Sequence, residues 1–276
     1  MKNSNGVLIF LHIPKTGGTT FHHILERCYS RDQICSFKDP NCRSEIENFK
    51  GLAPEKREAY RLIKGHLSFG FHRHLPGDSS YITFLREPIA RTLSFYYYAR
   101  SHPDHYLYPS LKDNQVDLKM LLKHRTATTH EFFNLQTCMI AGDEWGDSER
   151  PADRAALERA KQNLRSRFPV VGLTEEFDAS LRLLSNRFGW KVRAYRKKNV
   201  TRRKPHIETL DNETRALLRE ANALDIELYQ FARELFDAQC RIGAEPSRIG
   251  LFPMLRSIPR KRAREKVKDN GAGPDV

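Results

Sequence analysis

The chain is constrained most by residues 8–25, LIFLHIPKTGGTTFHHIL. An apolar run ends in Pro-Lys-Thr-Gly-Gly-Thr-Thr, and an apolar-periodic segment follows at once. The order is strand, glycine-rich turn, helix. Such a turn aims backbone N–H groups and the positive end of a helix at an anion. Lys15 adds a mobile charge, and Thr19 and Thr20 add hydroxyls. Two adjacent glycines, a lysine and three threonines at this junction exceed what packing requires, so the loop is read as a phosphate site of a nucleotide-handling enzyme.

The loop is not an ordinary Walker A sequence. That motif sets four residues between its first glycine and Gly-Lys-Ser/Thr, whereas here the lysine precedes the glycines. The G-x-G-x-x-G dinucleotide pattern is also missing. Both departures weigh against an ATPase or a dinucleotide enzyme, although a divergent kinase stays open as an alternative.

Periodicity extends the pattern along the chain. Residues 7–13 read as a buried strand and 16–28 as the turn and first helix. Residues 29–60 read as a polar, irregular excursion with a short helix near 55–60. A strand at 61–64 leads into GHLSFG (65–70), and SYITFL (80–85) reads as a central strand. Pro88 suits the first turn of the next helix. Residues 101–115 read as a loop. Helical patterns recur at 118–124, 130–139, 151–164, 177–188 and 212–236, with a strand at 168–175. Strands alternating with helices predict a three-layer α/β domain over 1–240 with a central parallel sheet. Residues 241–276 read as a basic, Pro/Gly-containing tail with partial disorder.

Charge sharpens the expected partners. Lys plus Arg number 47 and Asp plus Glu 34, a formal net charge of +13. A cleft for a polyanionic cofactor, an acidic acceptor, or both fits that balance; general adhesion to polyanions is the plainer alternative. Five cysteines without a Cys-x-x-Cys pair read as free thiols, with a disulfide among Cys28, Cys35 and Cys42 left open. No metal partner set is evident. No apolar run reaches the length of a membrane span, and the first residues lack a signal peptide's apolar core, so integral membrane association is not expected and the expected location is cytoplasmic.

HIPKTGGTTF (12–21) and TFLREPIARTLSFYY (83–97) together resemble the PAPS-dependent carbohydrate sulfotransferases, in particular the heparan sulfate 2-O- and 6-O-sulfotransferase branch in a bacterial-type form. The resemblance implies a P-loop-like sulfotransferase fold and PAPS (3′-phosphoadenosine 5′-phosphosulfate) as sulfuryl donor, with PAP as product. It assigns Lys15, Thr16, Gly17, Gly18, Thr19 and Thr20 to the 5′-phosphosulfate loop. It assigns Arg86, at a strand end, and Ser94, on the following helix, to the 3′-phosphate. Arg86 suits that role because its planar fork matches phosphate oxygens.

Transfer to a sugar hydroxyl needs a base, and His66 is the leading candidate. Lys64-Gly65-His66 leaves a strand at the end where parallel sheets present their active groups, and a similar Gly-His segment is the base in the 2-O branch. His12 reads as a buried scaffold residue, and at most one of His22 and His23 can face a cleft. His72, Asn134 and Gln136 are the candidate acceptor contacts, although Asn134 and Gln136 equally suit capping or bracing a helix. Arg202, in the basic segment 191–204, is the candidate for closing over the cofactor. The expected acceptor is a carbohydrate or polysaccharide of glycosaminoglycan type, with no nucleic-acid partner. A noncatalytic polyanion-binding module is the alternative of a different class.

Overall fold

The computed structural model describes residues 6–37, 42–112, 116–124, 129–142, 151–192, 194–195 and 207–243. Arg202 and residues 244–276 of the expected tail lie outside them, as does most of the basic segment 191–204.

Five parallel strands form one sheet in the order β2-β3-β1-β4-β5: β1 (Val7–Leu11), β2 (Ile34–Ser36), β3 (Leu62–Gly65), β4 (Ser79–Leu85) and β5 (Val170–Leu173). Register pairs Leu11 with Gly65 and Phe10 with Ile82, so β1, β3 and β4 run side by side. β1 is buried on both faces, as its unbroken apolar run requires. Val7, Ile9, Leu11 and the following Ile13 enter one core cluster, while Leu8 and Phe10 enter another. Fully burying each large side chain stabilises the fold by about 1.5–3 kcal/mol.

Helices fill the outer layers. α1 (Gly18–Leu25) follows the glycine-rich turn and packs Phe21, Ile24 and Leu25 against the Leu8 and Phe10 face. After α2 (Cys42–Lys50) and α3 (Pro54–Glu58) come α4 (Pro88–Ser101), α5 (Tyr108–Leu111), α6 (Leu118–Lys123) and α7 (Leu135–Ala141). α8 (Arg154–Arg167) and α9 (Phe177–Phe188) flank β5, and α10 (Asn212–Ala221) and α11 (Ala223–Gly243) close the described chain. α9 joins α1 on one face of the sheet; α7, α8 and α11 cover the other. A third cluster unites α4, α5, α6 and α10. The three-layer α/β architecture with a central parallel sheet is as expected.

Four local expectations change, the first in the loop expected at 101–115, which holds the one-turn helix α5. Within 29–60 the short helix expected near 55–60 is α3, and the described residues add the edge strand β2 and α2, which were not expected. β2 has three residues of intermediate burial, and α2 fully buries only Cys42 and Phe49, so neither carries a long apolar pattern. The 130–139 pattern divides into a 3-10 turn at His130–Phe132 and α7. The long helix expected over 212–236 is two helices, broken at Asn222. Its buried side chain donates from Nδ2 to the Leu218 carbonyl at 2.9 Å and accepts from Thr92 Oγ1 at 3.0 Å. All five cysteines are free thiols, so the disulfide left open among Cys28, Cys35 and Cys42 is not formed.

Candidate active site

The C-terminal ends of β1, β3 and β4 converge on the glycine-rich turn. Lys15 has φ 70° and Gly17 φ 85°, both left-handed. Glycine adopts that conformation without penalty, but at Lys15 it costs roughly 1–3 kcal/mol and needs support from its surroundings. The support is visible. Arg86, leaving β4, donates from Nη1 to the Lys15 carbonyl at 2.9 Å. Thr16 turns its hydroxyl inward to the Ile13 carbonyl at 2.8 Å, and Thr174, just past β5, donates to the Thr16 carbonyl at 2.8 Å. Gly17 is the N-cap of α1 and brings no side chain to cap the helix, which leaves the positive helix end suited to an external anion. Thr16 and Thr20 are buried while Thr19 is exposed.

Lys15 reaches across to α4. Its Nζ lies 3.7 Å from the centroid of the Tyr98 ring, a cation–π contact. Ser94, buried on the same helix, lies one turn before Tyr98, so the two share a face. Tyr98 is not among the residues that the sequence singles out. The i,i+4 spacing from Ser94 is the signal that would have found it.

The base candidate sits beside the loop. His66 Nδ1 is 2.8 Å from the His12 carbonyl oxygen. A carbonyl only accepts, so Nδ1 carries the proton and Nε2 holds the lone pair that a general base needs. The His66 ring stacks on His12 with centroids 4.4 Å apart. Gly65 is required by a close approach: a Cβ there would lie 2.7 Å from the Phe37 carbonyl oxygen. Below the rings, buried Lys64 pairs with Glu26 at 2.6 Å. His22 lies inside, its Nε2 3.1 Å from His12 Nδ1, while His23 turns out to pair with Glu26 at 3.3 Å. Burial, then Lys64 and His66, push His22 down to about 3. Burial and the neighbouring His66, His22, Lys15 and Lys64 hold His12 well below the usual histidine range.

The candidate acceptor contacts are placed differently. Gln136 is fully buried; its Oε1 accepts from the Arg86 N–H and its Nε2 donates to the Arg86 carbonyl, both at 3.0 Å. Asn134 accepts on Oδ1 from the N–H groups of Leu224 and Asp225 at 2.9 and 3.1 Å, at the start of α11. Asp225 returns the contact, accepting from the Gln136 and Thr137 N–H groups at 3.1 and 2.7 Å and from the Thr137 hydroxyl at 2.8 Å. Both expected acceptor amides thus spend the hydrogen bonds seen here inside the protein. His72 packs beside Tyr81, whose hydroxyl accepts from the His72 N–H at 2.9 Å and lies 3.0 Å from Nδ1. Arg91, on α4, is wholly buried and donates to the Glu131 carbonyl at 2.5 Å.

Comparison with known proteins gives this geometry a context. The galactose-3-O-sulfotransferase family model matches residues 2–272. The chain is 30% identical over 246 residues to galactose-3-O-sulfotransferase 3 of Mus musculus, covering 82% of this chain and 55% of that protein. It is 25% identical over 258 residues to heparan sulfate 2-O-sulfotransferase 1 of Xenopus laevis, covering 83% and 70%. Human heparan-sulfate 6-O-sulfotransferase 1 is 28% identical over 271 residues, covering 83% and 65%. Among solved structures, mouse sulfotransferase SULT7A1 complexed with PAP is similar at 14% identity and a TM-score of 0.38, covering 82% of this chain and 67% of that one. The chain spans about half the length of the mouse galactose-3-O-sulfotransferase 3 it matches.

Proposed function

The chain belongs to the galactose-3-O-sulfotransferase family, and we propose that it transfers a sulfuryl group from PAPS to a carbohydrate hydroxyl. One observation supports this above the rest. A base in the right tautomer, His66, adjoins a positively charged anion loop that the Arg86 guanidinium braces. The loop's fit to a phosphosulfate rests on Gly17 in the left-handed conformation, the α1 N-terminus and Lys15.

The roles follow from the chemistry. His66 Nε2 takes the proton of the attacking hydroxyl as the new O–S bond forms. The S–O bond to the 5′-phosphate breaks, and PAP leaves with that electron pair on its phosphate oxygen. Lys15 stabilises this oxygen, moving from its seat on Tyr98. The Gly17, Gly18, Thr19 and Thr20 backbone cradles the phosphosulfate, with Thr16 bracing the turn. Ser94 and the part of Arg86 not bound to Lys15 take the 3′-phosphate, and Arg202 closes over the nucleotide. His72 borders the acceptor side, while Asn134 and Gln136 act from behind the site by fixing α11 and Arg86. The family description directs the acceptor to a galactose hydroxyl; the heparan relatives and the basic charge widen it to glycosaminoglycan-type polymers.

The test is transfer of labelled sulfate from PAPS to lactose and to desulfated heparan, alongside calorimetric titration with PAP and with Mg-ATP. Selective PAP binding with transfer to a glycan is the expected result. Mg-ATP selectivity would point to a kinase, and heparin binding without PAP affinity to a polyanion-binding module. His66→Ala is expected to lose turnover by about 10²–10⁴-fold and to keep its PAP affinity.

A further inference from the structure

His12 lies where the base and the anion loop meet, and its own ring has no part in the roles above. Its ring stacks on His66 and, with centroids 5.4 Å apart, on Phe10; His22 meets it edge-on at 4.7 Å. The proton shared between His12 Nδ1 and His22 Nε2 can sit on either nitrogen. The remaining nitrogen of His22, Nδ1, is buried with no hydrogen-bond partner. An orphaned buried N–H is the rarer and costlier defect, compared with an under-used lone pair. His22 therefore keeps its proton on Nε2 and donates it to His12 Nδ1. A neutral His12 must then carry its own proton on Nε2.

That Nε2 lies against the phosphate loop, with Gly18 packed over the ring face beside it. It approaches Gly18 so closely that a Cβ there would lie 1.8 Å away. Gly18 opens α1, so glycine at this position admits the imidazole to the mouth of the loop. We propose that His12 donates a hydrogen bond from Nε2 to the transferring sulfuryl group, oriented by His22 as its positioning residue.

The donor is useful because it is uncharged. Lys15 on the loop, Lys64 on β3 and His66 surround it, with Glu26 just past α1 answering Lys64. Burial first, and after it the neighbouring His66, His22, Lys15 and Lys64, keep His12 neutral. His66 must become an imidazolium when it takes the acceptor proton, and a charged ring stacked on it at 4.4 Å would oppose that step. A neutral N–H stabilises sulfuryl oxygens without raising the cost of charging the base.

The proposal rests on the sulfotransferase reading, and two measurements separate their failures. The first is the tautomer of His12 in the wild-type protein, by long-range ¹H–¹⁵N correlation at neutral pH, with His12→Phe giving the assignment. An Nε2–H signal is expected; an Nδ1–H tautomer overturns the donor role whatever the reaction. The second is kinetics with PAPS and lactose. His12→Phe keeps the stacked ring and the backbone carbonyl that holds His66, yet should lose about 10²-fold in kcat while PAP affinity holds. His12→Gln, which restores an N–H near the Nε2 position, should recover about tenfold of that loss. An active wild type matched by His12→Phe, or a parallel loss of kcat and PAP affinity, overturns the donor role alone. A wild type that turns over no acceptor overturns the sulfotransferase reading and the donor role with it.

Discussion

Two polar regions of this molecule carry equally suggestive sequences and do different work. In 12–20 the loop is strained at Lys15, and Gly17 leaves the N-terminus of α1 without a side-chain cap. In 134–137 the amides and hydroxyl turn inward. Asn134 caps α11, Asp225 caps α7, and Gln136 clamps the backbone of Arg86. The difference teaches that residue type alone does not separate a ligand-binding group from a brace; the destination of its hydrogen bonds does. The two regions are also joined. Asp225 holds the Gln136 N–H, Gln136 holds the Arg86 backbone, and Arg86 holds the Lys15 carbonyl.

The sharpest attempt to break the contrast is Lys15→Ala. If the loop is the chemical side of the pair, kcat falls by about 10³-fold, the size seen when a key electrostatic donor is lost, and thermal stability stays near wild type. A variant that unfolds readily but turns over normally would put Lys15 with the braces.

Asp225→Ala is the complementary change. It orphans two backbone N–H groups and the Thr137 hydroxyl in a fully buried setting and removes the charge that faces buried Arg91. Breaking such a buried network costs about 3–5 kcal/mol, measurable by urea denaturation. An unchanged midpoint would mean that the cap exchange between α7 and α11 adds nothing to the fold.

Gln136→Leu tests the connection itself. The substitution fills similar volume but leaves the Arg86 N–H and carbonyl without their partners, at about 1–3 kcal/mol for each buried group left unsatisfied. PAP affinity should fall several-fold although residue 136 never touches the ligand. Unchanged affinity with lowered stability would confine Gln136 to a purely structural part.

Much of the first region was legible because its signals are local: an apolar run, two glycines and a lysine lie within a dozen residues. The parallel sheet followed from the same logic, since β1, β4 and β5 are short apolar runs bounded by turns. The second region reads in the sequence equally as acceptor contact and as brace, without its partners. Asn134 and Asp225 meet only after about ninety residues of intervening chain, and no local pattern announces a cap supplied by another helix. The break at Asn222 was hidden for the same reason: α10 and α11 share one apolar period, and only the distant Thr92 hydroxyl and the Leu218 carbonyl explain the interruption. His12 was read as scaffold because a histidine ending a buried strand usually is one; its approach to Gly18 exists only in three dimensions.

The last effect is a pH slope at the histidine cluster. His22 is pushed from its ordinary value near 6.5 down to about 3, by burial first and then by Lys64 and His66. Between those values the unfolded chain binds a proton that the folded chain refuses. Its contribution is therefore whole above pH 6.5 and is lost as pH falls toward 3, at up to about 1.4 kcal/mol per pH unit. His22→Phe removes this term. Urea midpoints of wild type and variant, compared from pH 7 down to pH 4, should fall more steeply for the wild type, because only it carries the His22 proton linkage. Parallel curves would mean that His22 titrates normally in the folded protein, and that a neutral, positioned His22 is not what orients His12.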